Sequence, residues 1–430
     1  MQKIRIFYIV IIIFLMSFAT IAECQDVQNN QLKFIKNNGH PIKIKDSTDF
    51  SDLKALDKVL KGKRIVLLGE FTHGAKEINL MKSRLINYLH KNLGFKVLLF
   101  ESGIGELYSV NYSRETLSSR EMIGNLTEPW RTTDHVGIMD FIKENKDLRV
   151  GGFDLLRTGR SFAKVVENLI GVIDADKKLN SNIERNFVEA VVKLSDQKNE
   201  NNPAVLQERD KVVVDYRNFI QALNDNQKKL EAAGWDSTKL KIVKKTFENR
   251  IEYLNNYLHF GADAFQKGFL FRNSIMAENI LWYATQLFPN EKIIITSHNY
   301  HIAKHNEKDL VMGKLLKDKL GKSIYSIGFF GGKGTYATNS RRIAPLAQPT
   351  EENDIRTVIN RIENNEATFL KIPEKQTTGS EWLFANLTIN NSFVNLDSFF
   401  KPDAESRLIP QKSYDGLILI NQISPPEFVS

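Results

Sequence analysis

Cysteine is almost absent: Cys24 is the only one in 430 residues. It lies at the end of an N-terminal segment that is expected to be removed, so the remaining chain has none. Thiol catalysis, zinc knuckles and internal disulfides are therefore excluded. Long apolar runs are nearly as scarce. The one that exists, Ile6 to Phe18, follows Lys3 and Arg5 and precedes small residues and Ala22-Glu23-Cys24-Gln25. This is the layout of a secretory signal, with residues 1–24 removed and 25–430 exported to the periplasm or beyond. The run is shorter than the roughly 20 residues of a bilayer span, so no stable membrane span is expected after cleavage. Lipidation of Cys24 is the alternative, but Glu23 stands where such sites favour a small residue.

Familiar catalytic motifs are missing too. The chain has no Gly-x-Ser-x-Gly elbow, no Gly-x-Gly-x-x-Gly, no P-loop and no His-Glu-x-x-His. A covalent serine mechanism has no motif to stand on. What remains is carboxylates and imidazoles, which can activate water directly or through a metal. Net charge is +8, of which Lys3 and Arg5 supply two. The lysines are scattered through helical stretches such as Lys239 to Lys245, as on a solvated face, so nucleic acid is not an expected partner.

The hydrophobic content of 42% suits a chain that buries a real core. Short apolar runs predict buried parallel strands at Ile65 to Leu68, Val97 to Phe100, Arg149 to Phe153, Ile293 to Thr296 and Ile324 to Phe330. Between the first two, Ile78, Leu80, Met81, Leu85, Ile86 and Leu89 recur near helical spacing over roughly Ala75 to Asn92, and Leu93-Gly94-Phe95 ends the helix. Strand, helix, strand is the βαβ signature of an α/β fold, a mostly parallel sheet flanked by helices. From about 161 to 260 the chain turns to charged amphipathic stretches, broken by the Asn-rich turn Gln197 to Pro203. They predict a helical insertion forming a cap or side domain on one α/β domain spanning 25–430. After Ala344 only Ala367 to Ile372 and Gly416 to Ile420 stand out as strands, and Pro425-Pro426 is expected to mark the end of structure.

The predicted strands end on chemistry-bearing residues: Gly69-Glu70-Phe71-Thr72-His73-Gly74, Glu101, Asp154, and Ser297-His298-Asn299-Tyr300-His301. Ligands of open parallel sheets bind outside the carboxyl ends of the strands, so these ends can converge on one cleft. Each residue also has an ordinary reading. Glu70 could cap a helix or pair with a lysine, and His73 could be a turn residue. Glu101 directly follows an apolar run, so it needs a partner. His298, His301 and His305 share one face if helical, as a metal cluster would, with His305 the most readily structural. His40, His90, His135 and His259 lack such company.

Taken together, these blocks resemble the erythromycin esterase family. The resemblance rests on Gly69-Glu70-x-x-His73-Gly74 followed by Glu77, then on Glu101 and Gly152-Phe153-Asp154. It continues through Arg272-Asn273-x-x-Met276-Ala277-Glu278-Asn279-x-x-Trp282, Ser297-His298-Asn299-x-His301, and Met312-Gly313 with Leu320-Gly321. The blocks span Arg64 to Tyr336 in the family's order. The resemblance implies a cofactor-free hydrolase that opens the macrolactone ester of 14-membered macrolides, a small-molecule substrate, with antibiotic resistance as the consequence. It implies His73 as general base, with Glu70, Glu101, His298 and His301 surrounding it. Lys82, Asp154 and Arg272 are implied for substrate binding. Lys82 stands where macrolide-active members carry arginine, Asn273 where Asp is usual, and Asp134, after Trp130, where Glu is common. Two alternatives remain: a hydrolase of another ester, lactone or amide, and a periplasmic haem- or metal-binding protein of a related fold.

Overall fold

The computed structural model describes residues 26–44, 48–174, 178–258, 264–349, 351–362, 364–389 and 406–429. The expected signal segment 1–24, with Cys24, lies outside the described residues, as does His259. Among the described residues no helix is long and apolar enough to cross a membrane.

The centre is a parallel sheet made by the apolar runs. Strands β1 (Gly39–Ile42), β2 (Ile65–Leu68), β3 (Phe95–Gly103), β4 (Arg149–Asp154), β5 (Lys292–Thr296), β6 (Ile324–Ala337), β7 (Ile343–Pro345), β8 (Ala367–Lys371) and β11 (Gly416–Ile423) form it. Its order is β1-β8-β11-β6-β2-β5-β3-β4, with β7 pairing on β6. Contacts from β11 through β4 are parallel, while β8, β1 and β7 pair antiparallel. Every residue of β2 is fully buried, which is why its four apolar side chains show no alternation. The short pair β9 (Leu387–Thr388) and β10 (Arg407–Leu408) stands apart.

The helix Lys76–Leu93 buries Ile78, Met81, Leu85, Ile86 and Leu89. Gly94, at φ +71°, ends it, in a left-handed conformation that costs glycine nothing. The helices Phe162–Ile173, Ile183–Leu194, Pro203–Asp225 and Ser237–Glu252 build a second apolar core, in which Phe187, Tyr216, Phe219 and Phe247 pack together. Asn202 caps the Pro203 helix after the Asn-rich turn.

Two sequence expectations are corrected. Pro425-Pro426 does not end the structure: beyond it, Thr133 N–H donates to the Glu427 carbonyl (2.9 Å) and Val429 N–H to the Arg131 carbonyl (2.9 Å). Prolines forbid a helix there, not an extended segment. His298, His301 and His305 do not share a helix face, because the helix is only Asn299–Ile302, His298 is its N-cap and His305 lies beyond it. The antiparallel edge was not anticipated and is compatible with the expected mostly parallel sheet. β1 and β7 carry too few apolar residues for a periodicity to reveal them.

Candidate active site

Strands β2, β3, β4 and β5 deliver Glu70, Glu101, Asp154 and Ser297–His301 to one end of the sheet. Two glycines make the first turn possible. A Cβ on Gly69 would lie 2.0 Å from Asn299 Oδ1, and one on Gly74 1.8 Å from the Ala337 carbonyl oxygen. With those approaches open, Asn299 N–H donates to the Glu70 carbonyl (2.7 Å) and Ala337 N–H to the Gly74 carbonyl (2.8 Å), fixing both ends of the His73 loop.

Glu70 is fully buried. Its Oε2 accepts from Lys82 Nζ (2.5 Å), and its Oε1 accepts from Trp130 Nε1 (2.8 Å) and pairs with His73 Nδ1. Burial alone would raise its pKa, but Lys82 and His73 outweigh that and hold it at about 2. Glu70 is thus anionic and fully engaged, and it caps no helix. The first-turn acid of the following helix is Glu77.

His73 is the open member of the set, with 17% of its side chain exposed. Its ring meets Trp130 (5.8 Å between centroids) and His298 (5.3 Å) edge-on. Burial would lower its pKa, but the Glu70 charge and hydrogen bond, with Glu101 behind, win and raise it above the ordinary value. Since Nδ1 faces a carboxylate, it carries the proton in the neutral ring, leaving Nε2 as the basic lone pair. No hydrogen bond from a described residue occupies Nε2.

The second carboxylate, Glu101, accepts from Ser297 Oγ (2.6 Å) and His298 N–H (3.0 Å) on Oε2, and from Arg272 Nη2 (2.7 Å) on Oε1. His301 Nε2 lies 3.3 Å from the same Oε1. Burial opposes its charge, yet His301, Arg272 and His73 hold its pKa well below the usual range. Arg272 also forks onto Asp154 (2.8 and 2.6 Å), so burial does not discharge it and its pKa is raised.

The other two imidazoles are spent on structure. Tyr300 N–H donates to His298 Nδ1 (3.2 Å), so Nε2 donates to the Phe71 carbonyl (3.0 Å), and burial pushes its pKa down to about 3. His301 Nδ1 donates to Asn273 Oδ1 (2.8 Å), which also accepts from Met312 N–H (3.3 Å). Burial outweighs Glu101 and lowers the His301 pKa. Among the described residues no three His, Asp or Glu side chains are arranged to hold a metal ion.

The structure therefore brings Glu70, His73, Glu101, His298, His301, Asp154 and Arg272 together. It places Lys82 differently from a substrate contact. Lys82 is 2% exposed, and its ammonium is spent on Glu70 and Thr296 Oγ1 (3.0 Å). Arg84, two residues on, faces away and forks onto Asp52 (2.6 and 2.8 Å). Sequence reasoning missed Trp130 as a partner of Glu70. The signal available was a lone tryptophan in a polar loop, whose N–H needs an acceptor once buried.

A model of the erythromycin esterase family matches residues 90–423, a span that contains Glu101, Asp154, Arg272, His298 and His301 and begins after Glu70 and His73. The chain is 28% identical to the Bacillus subtilis protein named "Putative hydrolase YbfO", over 95% of this chain and 94% of the other. It is 23% identical to erythromycin esterase type II of Escherichia coli, over 92% and 99%. A Bacillus cereus crystal structure superposes with a TM-score of 0.75 at 22% identity, over 94% and 99% of the two chains. An erythromycin esterase mutant in an open conformation superposes with a TM-score of 0.59 at 16% identity, over 89% and 97%.

Proposed function

We propose, from the premise that this chain belongs to the erythromycin esterase family, that it hydrolyses a carboxylic ester or lactone with water activated by His73. The observation that carries this reading is the asymmetry of His73: Nδ1 is bound to the buried Glu70 carboxylate, while the ring is partly open and Nε2 is unspent. Nε2 takes a proton from water as the water oxygen bonds to the carbonyl carbon. The tetrahedral intermediate then expels the alkoxide, which takes that proton back from the imidazolium. Glu70 stabilises the imidazolium between the two transfers. Glu101 aligns Ser297, the His298 backbone and Arg272 behind the base. Arg272 is in turn anchored by Asp154, which fixes the guanidinium beside Glu101 and His301.

Within this reading the substrate is the macrolactone ester of a 14-membered macrolide, and its opening would confer resistance. Mass spectrometry of erythromycin incubated with the protein tests this: a gain of one water is expected, and an unchanged mass with every 14-membered macrolide removes the macrolide assignment. A second reading, another ester, lactone or amide of the cell envelope, is favoured by Lys82 standing where macrolide-active members carry arginine, and by Asn273 and Asp134 departing from the residues usual in the family. Turnover of simple aryl esters without macrolide turnover selects it. Export after removal of residues 1–24 belongs to the same proposal, on the strength of Lys3, Arg5 and the run Ile6 to Phe18.

A further inference from the structure

The chain beyond β11 crosses the two elements that hold the Glu70–His73 pair. At its start, the Ser424 carbonyl accepts from Lys76 N–H (2.8 Å), and Ser424 N–H and Oγ donate to the two Glu77 oxygens (2.6 and 2.7 Å). Those residues are the first turn of the helix that follows the His73 loop. Three residues later the same segment pairs antiparallel with the Trp130 loop, through a Thr132–Phe428 bridge flanked by the Thr133–Glu427 and Val429–Arg131 hydrogen bonds (both 2.9 Å). Arg341 lies over the Phe428 ring at 4.9 Å. Between these tethers sits Trp130, fully buried, its ring stacked on His135 (5.8 Å, 19°) and its N–H aimed at Glu70 Oε1.

The loop is held on its other side as well. Thr127 N–H donates to Ser102 Oγ (3.0 Å), next to Glu101, and Arg131 donates to the Leu126 and Thr158 carbonyls (3.2 and 2.7 Å). What the C-terminal segment adds is a single connection from the His73 helix to the Trp130 loop. A carboxylate that shares one oxygen between an imidazole and an indole can rotate about its Lys82 contact when the indole withdraws. The indole therefore fixes where the charge facing His73 lies.

We infer that Ser424–Val429 is a strap that sets the electrostatics of His73 through Trp130, a positioning residue whose N–H locks the Glu70 carboxylate against the imidazole. This rests on the Glu70–His73 pair being the working centre. The strap is not part of the reacting set, so its removal should act only through Trp130.

The test is an NMR titration of His73 in full-length protein carrying 13C-labelled histidine, which needs no substrate. Three variants are compared with the parent: Trp130→Phe, which keeps a ring and loses the N–H; a chain stopped after Ser424; and the two combined. The His73 pKa is expected to fall by about half a unit to one unit in each single variant. The combination should fall no further than the larger single change, because both act on one contact. If the shortened chain fails to fold, Val429→Pro, which removes the N–H that binds Arg131 and disfavours pairing there while keeping the rest of the chain, serves in its place. An unshifted His73 in either single variant, or shifts that add in the combination, overturns the inference. His73→Ala turnover, measured alongside, reports separately on the base. Inactive His73→Ala with an unshifted Trp130→Phe would sink the strap and leave the base standing.

Discussion

Two of the buried charge clusters among the described residues differ in one respect that bears on function. Around Glu70 and Glu101 the carboxylates are held below their ordinary pKa values by Lys82, His73, His301 and Arg272, and one imidazole nitrogen stays open. Between the sheet and the helical bundle, Glu106 and Glu184 meet Arg250 (2.6 and 3.4 Å), Arg157 closes on Glu184 (3.3 Å) and Tyr216 donates to Glu184 (2.8 Å). There burial wins over Arg250 and pushes the Glu106 pKa up, and Glu106 Oε2 has no hydrogen-bond partner among the described residues. Burial of charge is common to both. An unspent base beside a partly open space belongs only to the first, and it separates a working site from a fastening.

The comparison is broken most severely by Glu101→Gln. The shape is kept, but the charge that aligns Arg272, Ser297 and His301 is lost, and turnover should fall about 10²-fold or more with a smaller change in KM. Bound metal is measured on the same samples, because activity lost in proportion to lost metal would point to a metal site instead. Next in size is Arg250→Met, which strands Glu106 and Glu184. Urea unfolding should show a loss of about 3–5 kcal/mol, while kcat per folded molecule stays unchanged. A drop in kcat at full folding would mean that the second cluster also serves catalysis.

Acid sharpens the contrast through opposite signs. Glu70 is depressed from 4.5 to about 2, so its contribution is present above the unfolded pKa and is lost as pH falls through about 2, on the order of 3 kcal/mol. Glu106 is raised, so its contribution is present below the unfolded pKa and is lost as pH rises through the folded value. Stability measured against pH should therefore lose its acid-side slope in Glu70→Gln and gain at neutral pH, relative to Arg250→Met, in Glu106→Gln. Equal slopes in the two Gln variants would erase the distinction. The smallest effect is expected from Lys82→Arg, which keeps the charge on Glu70. Turnover should stay within about threefold of the parent, since the cation paired with buried Glu70 is kept.

The parallel strands were legible because β2, β3, β5, β6 and β11 hold runs of buried apolar residues, and topology then places the ends of β2, β3, β4 and β5 together. The candidate site residues stood out for the same reason: Glu101 and Asp154 lie at the ends of β3 and β4, and Glu70 and Ser297–His301 come just after β2 and β5. What the sequence hid are contacts made across long separations. Lys82 was implied for substrate binding by the resemblance, and no spacing in the helix reveals that its ammonium meets Glu70, twelve residues earlier. The C-terminal strap has no periodicity, and apart from the Ser424–Glu77 pair its hydrogen bonds are made by backbone atoms, which carry no residue signature. Trp130 acquires its role only through the fold that brings Glu70 to its N–H.

The most direct test of the central claim is hydrolysis of an accepted ester by folded His73→Ala protein beside the parent, with pH varied. The account predicts a loss of about 10²- to 10⁴-fold with the melting temperature preserved, because His73 is partly exposed and contributes little to the core. In the parent, turnover should rise with pH through a value above the ordinary imidazole pKa of about 6.5, since the neutral ring is the base and Glu70 raises its pKa. A folded His73→Ala protein that turns over at near-parent rates would contradict the account.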